Sequence, residues 1–339
     1  MTHTTLAMHM ANELLSVPVA VATLVLAAAA LVACSWWASR RLDAERFPLM
    51  GVIGAFIFAA QMINFPLPGL PGTSGHLGGG VLLAILLGPA GAVVTMAAIL
   101  VIQCLVFQDG GLLALGCNVI NMGIVPAVLG YGVYRLVLGR KGPAGASRQY
   151  VAAFAAAVAG VTAGAALVPI QAHISGVLAI PLRSFLAVMV GVHLVIGAVE
   201  GAITFAVVAF VRHVRPAALG ADPAAAHQKL SRNALIASLL VTAALLGGVV
   251  SWFACGDPDG LEWSYQEHRY TAADAAIAND SSAVAGVEAW QARWAPMPDY
   301  GPEGWTSLAG LGGTVLTLVL VYAAARLLRK RRAIQPDDT

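Results

Sequence analysis

Two histidines carry the strongest chemical signal in this chain. His9 stands in Met8-His9-Met10, just before the first hydrophobic stretch. His76 stands in Gly72-Thr73-Ser74-Gly75-His76-Leu77-Gly78-Gly79-Gly80, a turn-rich segment between later stretches. Imidazole is the commonest protein ligand for divalent transition metals, so an N-terminal and a loop histidine meeting at the outer mouth of a helical bundle describe a metal site. A free amine at Met8, the amide nitrogen of His9 and its imidazole would chelate one ion through fused rings. Such a donor set suits square-planar Ni(II) or Cu(II), and His76 would complete four nitrogens. The chelate requires the chain to begin at Met8, by a start there or by removal of residues 1–7. Loss of Met1 alone would instead expose Thr2-His3, a chelator of the same kind. The plainer readings are a solvated tail for His9 and a backbone-bonded turn for His76.

Other polar residues divide between support and bystander. Thr73 and Ser74 are placed to orient the His76 imidazole, as groups behind metal ligands do. Asn118 and Asn121, one helical turn apart, either support the site loop or pack against a neighbouring helix. His193 and Glu200, seven residues apart on one helix face, form either a proton relay or a helix–helix hydrogen bond. His173 falls in an outer loop, as a transient cation contact. There is no G-x-x-x-x-G-K-[ST] phosphate loop, no H-E-x-x-H, no G-x-S-x-G and no dinucleotide fingerprint. ATP hydrolysis by a P-loop and a zinc peptidase of the H-E-x-x-H type are therefore not expected. Cys34, Cys104, Cys117 and Cys255 form no CxxC pair and read as small packing residues or lone thiols.

The elements that must position these groups are membrane helices. Of 339 residues, 59% are hydrophobic and 11% charged, against roughly a quarter charged in soluble domains. Hydrophobic spans are expected at Asn12–Trp37, Pro48–Phe65, Leu77–Gly88, Pro89–Phe107, Leu112–Leu138, Tyr150–Gln171, Ser184–Val211, Ala234–Ala254 and Leu308–Leu328. Most reach the ~20 residues that cross the hydrocarbon core. Leu77–Gly88 is short, a tilted or half-buried segment ended at Gly88-Pro89, and is counted as equivalent to a crossing. With the N-terminus outside and nine segments, all of the 19 basic residues except Arg183, Arg269 and Arg293 fall on the cytoplasmic side, as the positive-inside rule requires. The expectation is a multi-pass protein of the cell (inner) membrane with its C-terminus cytoplasmic. Asp109, Asp257, Asp259, Glu262, Glu288 and other acids then lie outside, most of them read as solvated loop residues whose field concentrates cations.

Two modules follow from composition: residues 8–215 with about seven spans, and residues 233–330 with two spans flanking an outer loop, Cys255–Ser307. Residues 1–7 stand apart, residues 216–232 form an Ala/Pro linker, and residues 331–339 form a cytoplasmic tail. Trp263, Trp290 and Trp294 are expected to lay the loop on the membrane surface. The terminal Arg-Lys-Arg-Arg is an orientation anchor, with no nucleic-acid partner implied. Ala27–Ala30 and the Ala152–Ala166 stretch are flat faces for internal packing or for another membrane subunit.

Met8-His9-Met10-Ala11, Gly51–Phe65, Ser74-Gly75-His76-Leu77-Gly78-Gly79-Gly80 and Asp109-Gly110-Gly111-Leu112-Leu113-Ala114-Leu115-Gly116-Cys117-Asn118 together resemble the CbiM/NikM family. These are substrate-binding membrane components of energy-coupling factor transporters for cobalt and nickel. Pro258-Asp259-Gly260-Leu261-Glu262 resembles the PDGLE segment of the small CbiN/NikN component. The resemblance implies an all-α polytopic bundle like an energy-coupling factor S component, with two further C-terminal helices. It implies capture of Co²⁺ or Ni²⁺ at the outer face, for cobalamin synthesis or nickel enzymes, with no permanently bound cofactor. Met8, His9 and His76 would hold the ion, and Asp257–Trp263 would lie nearby. A transmembrane T component (CbiQ/NikQ-like) and cytoplasmic ATPases (CbiO/NikO-like) are the implied partners, in the surrounding lipid. The start departs from the common Met-His-Ile pattern, and cobalt and nickel stay unseparated. The rival of a different class is a proton-coupled transporter or channel working through His193 and Glu200.

Overall fold

A computed structural model describes residues 9–42, 46–139, 145–177, 180–214, 219, 231–267, 282–302 and 304–334. Helices dominate. The long ones are α1 (Val17–Arg41), α2 (Arg46–Gln61), α4 (Pro89–Phe107), α5 (Leu115–Leu138), α6 (Ala146–Ile174), α7 (Leu182–Val214), α8 (Arg232–Gly248) and α11 (Thr306–Ile334). Between them lie the short helices α3 (Gly80–Leu87), α9 (Gly260–Glu267) and α10 (Ser282–Trp294), and a two-residue hairpin, β1 (Phe65–Pro66) with β2 (Ser74–Gly75).

Six of these, α1, α4, α5, α6, α7 and α11, are long and apolar enough to cross a membrane. At 1.5 Å per residue, the 16 and 17 residues of α2 and α8 give about 24–26 Å, short of the ~30 Å hydrocarbon core. The eight residues of α3 cover about 12 Å. Leu77–Gly88 is therefore not a spanning helix by itself, because its first residues remain loop. All of α3 except Leu86 is buried, so protein rather than lipid receives it.

The ends of α1 show why the sequence stops there. Pro18 occupies the first turn, where its missing N–H costs nothing. Trp36 and Trp37 are exposed beside Arg40 and Arg41, whose guanidinium groups sit 4.4 and 5.8 Å from the indole centres. Amphipathic rings with basic partners mark a membrane–water boundary. In α5 the hydrogen bonding widens to a π pattern over Val119–Ile124 and Pro126–Gly130. Pro126 cannot donate to the ordinary ladder, and the widened turns absorb the missing bond.

Among the described residues, the two larger of three buried clusters organise the interior. One joins α2, α3 and α4 to α11 through residues such as Phe58, Phe107 and Val321. The other packs Met10, Leu14 and Leu15 of the N-terminal segment against Phe185 and Met189 of α7 and Leu261 of α9. Residues 9–16 precede the first helix as an irregular segment with one 3-10 turn at Asn12–Leu14. The expected start of the first span at Asn12 is corrected to Val17, since these residues fold inward instead of continuing the helix.

Candidate functional site

His9 is buried, 3% exposed, although it lies near the chain start. Asn118 of α5 holds the adjoining residue twice: its Oδ1 accepts the Met10 N–H (3.1 Å) and its Nδ2 donates to the Met10 carbonyl (3.2 Å). The Gly111 N–H donates to the same carbonyl, at 3.1 Å. Asn12 Oδ1 accepts the Leu113 N–H at 2.8 Å. The segment is thus seated like an edge strand against the turn that follows α4.

That turn carries Asp109. Its Oδ1 lies 2.6 Å from His9 Nδ1, and its Oδ2 accepts the Tyr300 hydroxyl at 2.5 Å. Burial pulls the His9 pKa down and the Asp109 pKa up. The attraction between the two outweighs it, so His9 titrates above its ordinary value and Asp109 below. A carboxylate only accepts, so Nδ1 carries the proton and Nε2 the lone pair. That Nε2 is buried and has no hydrogen-bond partner among the described residues. An orphaned buried nitrogen costs roughly 1–3 kcal/mol, a penalty that an ion bound at Nε2 would remove.

His76 follows β2, and its ring centre is 5.8 Å from that of His9. Its Nδ1 faces the Leu77 carbonyl at 3.3 Å. With metal–nitrogen bonds of about 2.0–2.1 Å, each ring centre would sit about 3 Å from a shared ion, so 5.8 Å accommodates one ion between the imidazoles. Both rings line a cavity of about 90 Å³, together with Asp259, Glu200 and His193. Among the described residues, no three His, Cys, Asp or Glu side chains form a metal-holding cluster. Two imidazoles are the nitrogen donors that the described side chains provide; further nitrogens would come from main chain or amine. Met8 lies outside the described residues.

The remaining candidates are placed as follows. Ser74 and Thr73 bond to the C-terminal module: Ser74 Oγ donates to the Asp257 carbonyl (2.8 Å), Thr73 Oγ1 to that of Pro258 (3.3 Å), and the Ser74 N–H also to Pro258 (2.8 Å). They tether the C-terminal module to the His76 loop. Asn121 pairs its amide with that of Gln171 on α6, both bonds 2.8 Å, and so joins two helices. His193 Nδ1 donates to the Met189 carbonyl at 2.8 Å, an ordinary helix-surface bond. Both oxygens of Glu200 accept main-chain N–H groups of Gly78 and Gly79.

Several residues that build the site escape a reading of sequence alone. Asp109 and Asp259 are buried at 3% and 4% exposure, which corrects their expected solvation. Asp259 caps α9, its Oδ1 accepting from Leu261 (3.0 Å) and Glu262 (2.8 Å). Burial raises its pKa, partly offset by His76 and His9. Gln291 of α10 bridges three segments: its Nε2 donates to the Cys104 and Gly110 carbonyls (3.0 and 2.9 Å) and its Oε1 accepts from Leu112 (3.1 Å). Trp290 and Trp294 remain exposed.

The fold and site define a multi-pass membrane protein whose N-terminal histidine is sealed in by a C-terminal module. Residues 9–218 match the model of the CbiM family, described as the cobalt uptake substrate-specific transmembrane region, and residues 233–330 match the PDGLE domain. The chain belongs to the CbiM family, fused to a PDGLE domain. It is 32% identical over 330 residues to the fused nickel transport protein NikMN of Rhodobacter capsulatus, covering 88% of this chain and 92% of that one. An Archaeoglobus fulgidus relative that also carries the NikMN name is 37% identical over 286 residues, 83% of this chain and 86% of its own. A solved transition metal transporter aligns with 31% identity and a TM-score of 0.48, covering 60% of this chain and 92% of that structure.

Proposed function

We propose that this chain is the ion-capture component of an ATP-driven importer for Ni²⁺ or Co²⁺, loading the ion at the outer face between His9 and His76. The observation that supports this most is the buried Nε2 of His9, without a partner among the described residues, beside the His76 ring, with Asp109 fixing the opposite nitrogen. A carboxylate behind a ligating histidine sets its tautomer and raises its basicity. In this reading both imidazoles ligate through Nε2, and Met8 is the candidate for a further nitrogen. A fused chelate through the His9 amide would need Nδ1, because only that ring nitrogen closes the chelate, and Asp109 would have to release it.

Asn118 is the residue that seats the His9 segment, and Thr73 and Ser74 act by docking the PDGLE segment over the loop. The C-terminal module closes the cavity, which excludes competing water from the ion. Energy comes from partners: a transmembrane T component and cytoplasmic ATPases. The N-terminus faces outward and the C-terminus the cytoplasm. The relatives named as nickel transport proteins support the substrate class.

Uptake of radioactive nickel by cells expressing the chain with and without such ATPase partners tests the division of labour. Uptake should require the partners and both histidines. Uptake without ATPases that survives His76→Ala and fails with Glu200→Ala would favour the proton-coupled rival.

A further inference from the structure

Glu200 is the one acidic side chain between Leu182 and Val214. It is fully buried, and ion capture by two histidines leaves it without a role. Its neighbours define one. Oε2 accepts the Gly78 N–H at 2.6 Å and Oε1 the Gly79 N–H at 3.1 Å. These amides lie two and three residues beyond His76, where the loop turns into α3. The Gly78 carbonyl is held from α2 by Gln61 Nε2 at 2.9 Å, and Gln61 Oε1 accepts in turn from Gln103 of α4 at 3.0 Å.

The chain here has little freedom to move elsewhere. Gly79 has φ +77°, and a Cβ on it would meet Ile57 at 2.7 Å; a Cβ on Gly78 would stand 3.0 Å from Glu200 Oε2. Only glycines let the backbone approach this closely. Gly79 is also the cap residue of α3 and offers no capping side chain. The first N–H groups of a helix need an acceptor, and the positive end of its dipole favours a carboxyl group. Glu200 supplies both from another helix.

Resting on the proposed function, we infer that Glu200 is the positioning residue for His76: by gripping the Gly78 and Gly79 amides it sets the loop so that the His76 imidazole faces His9. A side chain with two acceptor oxygens is required. Glutamine has the same shape but only one acceptor, and its NH₂ would confront an N–H donor.

The test is Ni²⁺ titration of the full chain in detergent, comparing wild type, Glu200→Gln, His76→Ala and the double variant. Cu²⁺ electron paramagnetic resonance counts the coordinated nitrogens alongside. Glu200→Gln should weaken Ni²⁺ about 10–100-fold, the loss typical of residues behind a ligand. It should remove one coordinated nitrogen, and the double variant should be no weaker than His76→Ala alone. Packing alone would survive this isosteric change. Wild-type affinity in Glu200→Gln, or losses that add to those of His76→Ala, would overturn the inference. If Glu200→Gln fails to insert, Glu200→Asp, which withdraws the carboxyl by one methylene, carries the same two outcomes. Binding that survives His76→Ala would instead overturn the reading of the site itself, whatever Glu200 does.

Discussion

Tyr300 and Asp109, 191 residues apart in sequence, share a 2.5 Å hydrogen bond, and the other oxygen of Asp109 holds His9. A residue of the PDGLE domain thus reaches a histidine of the CbiM region through one carboxylate. The arrangement is held under strain: Asp299 and Tyr300 have φ of 52° and 61°, a conformation that costs a non-glycine residue about 1–2 kcal/mol. Stacking of Tyr300 on Phe107, 4.7 Å between ring centres, helps offset it.

Tyr300→Phe keeps that stack and removes only the donor. Ni²⁺ affinity should fall about 10-fold, with little change in the thermal unfolding of the detergent-solubilised chain. An unchanged affinity in calorimetric titration would mean that the hydroxyl does not act through His9.

Asp109→Asn separates the two ways of using His9. Ligation through Nε2 depends on the carboxylate, so affinity should drop about 10–100-fold. Were the ion held by Nδ1 in a chelate with the His9 amide, the same variant would leave binding unchanged or tighten it. Equilibrium dialysis with Ni²⁺ decides between them.

Acid should compete with the ion. His9 must be deprotonated at Nε2 to ligate, and burial, which lowers its pKa, is outweighed by Asp109, which raises it above 6.5. The apparent affinity therefore starts to fall as pH drops past that raised pKa, at higher pH than for an ordinary histidine. Replacing Asp109 by Asn removes the raising charge and should move the onset to lower pH. An affinity flat from pH 7.5 to about 5.5 would contradict this assignment.

Gly111 tests the seating of the N-terminal segment. A Cβ there would stand 2.2 Å from Asn12 Oδ1 and 2.5 Å from its main-chain nitrogen, closer than atoms can pack. Gly111→Ala should displace the segment, abolish Ni²⁺ binding and expose the segment to limited proteolysis. An alanine variant that binds normally would show that the segment has another seat.

How much of this was legible in the sequence depends on how local each signal was. His9 and His76 stand out because each sits at a chain feature of its own, and the Gly88-Pro89 break is written in two adjacent residues. The juxtaposition of the PDGLE segment with the His76 loop was implied by resemblance, and the Ser74–Asp257 and Ser74–Pro258 bonds make it physical. Asp109 looked like a solvated acid because its partner lies 100 residues earlier. Gln291 carried no signal, since an amide on a short amphipathic helix is ordinary until three segments converge on it. Thr73 and Ser74 sit beside His76 in sequence, yet their hydroxyls bond to the Pro258 and Asp257 carbonyls of the PDGLE segment. Glu200 was visible as an acid in an apolar helix, but the two glycine amides it holds belong to a loop 121–122 residues away.

The central claim is tested most directly by Ni²⁺ titration of the purified full chain, its N-terminus fixed by intact mass, beside His9→Ala and His76→Ala. The account predicts one ion per chain in the wild type and none at the same concentrations in either variant. One ion retained by both variants would place the capture site elsewhere in the molecule and contradict it.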